Sequence, residues 1–172
     1  MPVFFSPSGN AEVWDANPGG GYVTEEEWLA RLEAEYNKLE NVKARKLAQI
    51  DANTSAAILA GFEYTADAGA GPERLHFSYD AFDQQNFADS ANASMLAQSG
   101  TEGLPESVTW NAYRNWTAEQ GGELVRLTFT PAEFLAFYVA GALAHKAACM
   151  EAGGRRKAAV EAAATAEEVE SA

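Results

Sequence analysis

The chain has 172 residues, 47% of them hydrophobic by a count that includes 35 alanines, and its 12 basic and 25 acidic side chains leave a net charge of −13. That length suits one domain with or without an appendage, and the charge opposes contact with nucleic acid or anionic membrane surfaces. The single Cys149 excludes an internal disulfide or a Cys-based zinc site.

The N-terminus has no basic start followed by an apolar run, so no signal peptide is expected. The longest uncharged apolar stretch, Phe134 to Ala144, is 11 residues, against the roughly 20 a membrane-spanning helix needs. No membrane insertion follows, and the expectation is a soluble protein of the cytoplasm.

In chain order, Val3–Ser6 and Ala11–Trp14 read as two short strands around the turn Pro7-Ser8-Gly9-Asn10, a hairpin within residues 1–22 that closes on the loop Asn17–Gly21. Thr24 and Glu27 form a capping box, and Val23 and Trp28 a hydrophobic staple, opening a helix that the pattern carries over residues 23–60 to Gly61. Leu29, Leu32, Tyr36 and Leu39 keep a 3-4-3 spacing, a coiled-coil-like seam over about two turns. Such a seam predicts dimeric or trimeric self-association, or a partner for the projecting part of the helix.

Residues 61–172 read as a small α+β domain. Strands are expected over 61–65, 74–79, 107–112 and 124–129, with a helix over 81–98 capped by Asp80 and carrying Phe82, Phe87, Ala91 and Met95 on its buried side. The loop 112–122 holds Tyr113 and Trp116 beside Trp110. Rings so placed either cover the core or form a binding surface, where aromatic anchors concentrate. A second capping box, Thr130 to Glu133 with Pro131, opens a helix apolar on nearly every face, as expected of one covered on two sides. Beyond Gly153-Gly154 a basic, alanine-rich helix runs to Ala164. Thr165–Val169 is expected to form a turn of helix that frays.

His145 and Cys149 stand i,i+4 and His76 lies on a strand, an incomplete metal set. Asp80, Asp83 and Asp89 are more simply a helix cap and surface charges than a cation site. No paired general acid and base, spaced nucleophile or phosphate loop is found. No catalytic, cofactor or metal residue is assigned and no enzymatic activity is expected. The interaction candidates are Leu29, Leu32, Tyr36, Leu39, Trp110, Tyr113 and Trp116.

The stretch Arg74–Phe87 (RLHFSYDAFDQQNF), the later Val108-Thr109-Trp110, the segment Leu127–Leu135 and the basic-alanine run Arg155–Ala163 resemble an uncharacterised domain family of tailed-phage and prophage proteins, commonly encoded beside tail fibre genes, over roughly residues 45–171. The opening, Phe4–Asn10 through Thr24–Trp28, is similar to that of phage tail fibre assembly proteins. The resemblance implies an assembly factor or adaptor that binds a phage tail fibre protein in the host cytoplasm. The alternative is a virion subunit of the fibre or baseplate that presents Trp110, Tyr113 and Trp116 to a bacterial surface ligand. It implies no catalytic residues.

Overall fold

Along Phe62–Asp67 (β4), Pro72–Phe77 (β5), Val108–Thr117 (β6) and Gly121–Phe129 (β7), apolar residues alternate with polar ones, which puts one set on each face of a sheet. The four strands pair antiparallel in the order β4-β5-β6-β7. Phe62 sits opposite Phe77 and Trp110 opposite Leu127, so the inward rows meet in register. This computed structural model describes all 172 residues. Its contacts divide the chain into two units, Ile50–Arg155 and the pair of segments Met1–Gln49 and Arg156–Ala172. The architecture is α+β.

In the first of these units the inward face of the sheet is covered by Ala81–Gln98 (α3), Pro131–Phe137 (α4) and the π-helical turn Tyr138–Leu143. Phe77, Phe87, Phe134 and Phe137 are fully buried there. Their rings interlock with Phe62 and Phe129, with centroids from 4.6 to 6.0 Å. Burying each such side chain contributes about 1.5–3 kcal/mol. Helix α3 has the expected bounds and Asp80 caps it, accepting from the Asp83 amide at 2.8 Å. Its buried face is Phe87, Ala91 and Ser94. Phe82 and Met95 are exposed instead of buried. Five residues before Phe87, Phe82 points roughly 140° around the helix from it. Val139 and Leu143 are also exposed, so the apolar run after Thr130 is buried on one side only, the side of Phe134, Phe137, Gly141 and Ala142.

The wide loop expected at 112–122 is not there. Strand β6 runs on to Thr117 and turns over Ala118–Gln120 into β7. Asn115, at φ 53°, takes up a bulge between Arg114 and Thr117. The glycine pair Gly153-Gly154 does not break the last long helix either, which spans Ala144–Ala162 (α5). At Gly153 a Cβ would strike the hydroxyl of Thr54, and its γ-methyl at 3.2 Å. The missing side chain is what lets α5 approach Leu39–Leu59 (α2) so closely.

In the other unit, Val3–Phe5 (β1) and Ala11–Val13 (β2) form the expected hairpin, and Val23–Thr24 (β3) adds a third strand on the far side of β1, in the order β2-β1-β3. The Thr24–Glu27 capping box is present, and Phe5 stacks on Trp28 at 5.6 Å. The helix expected over 23–60 is two helices, Glu25–Tyr36 (α1) and α2. Asn37 lies at φ −90°, ψ 1°, and the Asn41 side chain donates to the Glu35 carbonyl at 2.7 Å, a local bond that competes with the helix ladder. Lysines of α2 reach the C-terminal carbonyls of other helices. Lys43 donates to the Glu161 oxygen of α5 at 2.8 Å, and Lys46 to Glu170 of Ala166–Ser171 (α6) at 2.7 Å. Cations there satisfy orphan carbonyls and favour the helix dipoles. Helix α6 has its Thr165–Glu168 capping box, and Val169 is fully buried, so this segment is anchored where fraying was expected.

Candidate functional site

Helix α1 has twelve residues and none is buried. Leu29, Leu32 and Tyr36 are 55%, 48% and 59% exposed and follow one another at helical spacing, so they form one apolar row. The Arg45 guanidinium lies over the Tyr36 ring at 3.5 Å and donates to the Tyr36 carbonyl at 2.6 Å, which leaves the other ring face open. Leu39, half-buried, opens α2 and does not continue the row of α1. Four seam residues were expected on one helix, and three are placed together. The signal for the break was Asn37 and Asn41: the Asn37 backbone N–H closes α1 on the Glu33 carbonyl, and the Asn41 side chain donates to the Glu35 carbonyl.

The aromatic candidates of the other unit do not converge. The Trp110 ring packs inward on Phe87 at 4.1 Å and Phe134 at 5.4 Å. Tyr113 and Trp116 meet at 5.1 Å on the opposite face of the sheet, and Trp116 stacks flat on His76 at 4.5 Å. His76 faces Glu63 across β4 and β5, with Nδ1 3.2 Å from the carboxylate, and the Arg74 guanidinium reaches the same carboxylate at 3.6 Å.

His76 is buried and its Nε2 has no hydrogen-bond partner. Burial pushes its imidazole below the ordinary range and His145 adds to this, against the upward pull of Glu63. Gly61, at φ 85°, covers Nε2, since a Cβ there would sit 2.8 Å from it. The Glu63–His76 pair has the geometry of a base and its orienter, with Nε2 buried. Sequence reasoning weighed His76 only as a metal ligand. The cross-strand register that joins it to Glu63 and Tyr113 is tertiary information.

His145 directs Nε2 to the Ile58 carbonyl at 3.2 Å, and Cys149 lies 3.8 Å from its Nδ1. No group of three or more His, Cys, Asp or Glu is arranged to hold a metal ion. On the inward side of β5 and β6, Arg114 holds Glu73 in a two-point ion pair, which draws that carboxyl below its usual range. No helix is long and apolar enough to cross a membrane.

No curated protein and no solved structure matches the chain. Residues 41–172 match a family described as Domain of unknown function (DUF4376). The match takes in all of β4–β7 and α3–α6 and leaves out the three-stranded sheet and α1. Since it spans most of the sequence, the chain belongs to this family.

Proposed function

We propose that the protein is a non-enzymatic tail-fibre-associated protein of a tailed phage or prophage, an assembly factor or adaptor that holds a fibre protein through α1. The observation that carries the reading is a helix with no buried residue that shows Leu29, Leu32 and Tyr36 to solvent. An amphipathic helix of this kind gains stability when its apolar row enters a groove. The row lies before residue 41, outside the family domain, as an attachment element would. The similarity of Phe4–Trp28 to fibre assembly proteins supports the choice of partner.

The break at Asn37 favours a foreign groove over self-association. Three residues over two turns fall well short of the three to four heptads that sustain a coiled coil. The test is co-expression with the fibre protein of the same phage and recovery of the complex. Leu29→Asp with Leu32→Asp should cut recovery about tenfold or more, near 1.4 kcal/mol, while the far-UV circular dichroism stays unchanged. Equal recovery by the double variant would contradict the reading.

A second reading, a virion subunit that contacts a bacterial surface ligand, is favoured by the ring pair Tyr113–Trp116, at 5.1 Å, with Trp116 37% exposed. Mass spectrometry of purified virions separates the two. An assembly factor is absent from the particle, and a subunit is present in fixed stoichiometry.

A further inference from the structure

Strands β5 and β6 share one registered pair, His76↔Tyr113. Beyond it β5 leaves the sheet for α3, so residues 108–111 of β6 are paired with β7 on one side and have no strand on the other. The space so opened between α3 and β6 is a groove of about 380 Å³. Helix α3 lines it with Phe82, Asp83, Asn86 and Ser90, and β6 with Asn111 and Tyr113 among others. Asp83, Asn86 and Ser90 recur at spacings of three and four, and so share one helix face.

The hydrogen-bonding inventory of the groove is specific. The amides of Asn86 and Asn111 each offer donors and acceptors, the hydroxyls of Ser90 and Tyr113 offer both, and the Asp83 carboxylate accepts only. None of these side-chain groups is used in a hydrogen bond within the protein; the one bond at Asp83 is donated by its backbone amide to Asp80. No lysine, arginine or histidine lines the groove, so an anion would meet only a carboxylate inside a chain of net charge −13. Two rings complete the walls. Trp110, whose ring packs on Phe87 at 4.1 Å, and Phe82, 74% exposed, are both in the lining. A ligand that fits carries no negative charge, has hydroxyls that both donate and accept, and is apolar on one face.

We propose that this groove binds a neutral sugar, one or two pyranose rings of a glycan, with the ring face against Phe82 and Trp110 and the hydroxyls shared among Asp83, Asn86 and Asn111. The volume lies at the low end of small-ligand sites, which suits a ligand of that size. The site is separate from the α1 row and rests on neither phage role, so its failure leaves fibre binding untouched.

The test uses the full chain and a panel of neutral hexoses, N-acetylhexosamines and their disaccharides, with glucuronate as the anionic control. Binding is followed by tryptophan fluorescence and saturation-transfer NMR. At least one neutral sugar should bind, and Phe82→Ala and Asn111→Ala should each weaken it about tenfold, as expected of an anchor residue. Both substitutions are at exposed positions, and circular dichroism checks that the fold is kept. Binding of disaccharides but not single hexoses supports the site as one for chain-linked glycan, and equal binding of both supports a free-sugar site. Three results would overturn the proposal: no binding of any neutral sugar up to roughly 20 mM, more than tenfold above a dissociation constant of about 1 mM; glucuronate bound as well as the neutral sugars; or variants that bind like the parent.

Discussion

On the sheet face away from the helices, His76 lies between Glu63, which favours a charged imidazole, and burial beneath Trp116, which disfavours it, and burial prevails. Arg74 shares the Glu63 carboxylate, and His145 adds to the downward shift of His76. A histidine whose folded pKa lies below its unfolded value of about 6.5 takes up protons more readily when unfolded. Its neutral form is accommodated without loss above pH 6.5, and stability falls as pH drops from there toward the folded pKa. Glu27, Glu73 and Glu133 are shifted below the usual carboxylate range by their Thr24, Arg114 and Thr130 partners, so their contribution is present above about pH 4.5 and is lost as pH falls through their folded pKa. Acidification should therefore destabilise the protein in two stages. His76→Gln should remove the upper stage and leave the lower, as read from urea midpoints between pH 7.5 and 3.5. An unchanged slope between pH 7 and 5 in that variant would show that His76 is not its source.

Among the elements, α3 shows what local pattern can reveal and where it stops. Asp80 as cap and the bounds 81–98 follow from side-chain chemistry within the segment, and the same holds for the boxes at Thr24, Thr130 and Thr165. Which side of α3 is buried depends on where the sheet lies, and Phe82 and Met95 were misplaced for that reason. The extension of β6 through Tyr113 and Trp116 likewise depends on pairing with β7, and the join between His76 and Tyr113 on strand register. The seam residues Leu29, Leu32 and Tyr36 were legible as a row because α1 is isolated enough for its own period to show.

Gly153 and Gly154 look alike in sequence and differ only in packing. In a helix interior Ala is favoured over Gly by about 1 kcal/mol. Nothing lies within 4 Å of a Cβ built on Gly154, so Gly154→Ala should stabilise by roughly 0.5–1 kcal/mol. Gly153→Ala meets Thr54 and should destabilise by about 1–3 kcal/mol, as overpacking does. In a Thr54→Ala background the sign of Gly153→Ala should reverse. Thermal unfolding of the four variants checks this, and a stabilising Gly153→Ala in the parent would refute the close approach of α2 and α5.

For the whole molecule, the family domain begins at residue 41 and carries the four-stranded sheet with its aromatic core, while α1 precedes it with every residue accessible. A helix with no fully buried residue, held chiefly by Trp28 on Phe5, has little tertiary stabilisation, so its amides exchange through low-cost local opening. Docking of Leu29, Leu32 and Tyr36 in a partner groove would close that route. Hydrogen–deuterium exchange of the full chain, alone and with the fibre protein, reads this directly. Amides of residues 25–36 should exchange about tenfold more slowly in the complex, with those of β4–β7 unchanged. Protection confined to residues 50–155, or none anywhere, would contradict α1 as the binding element.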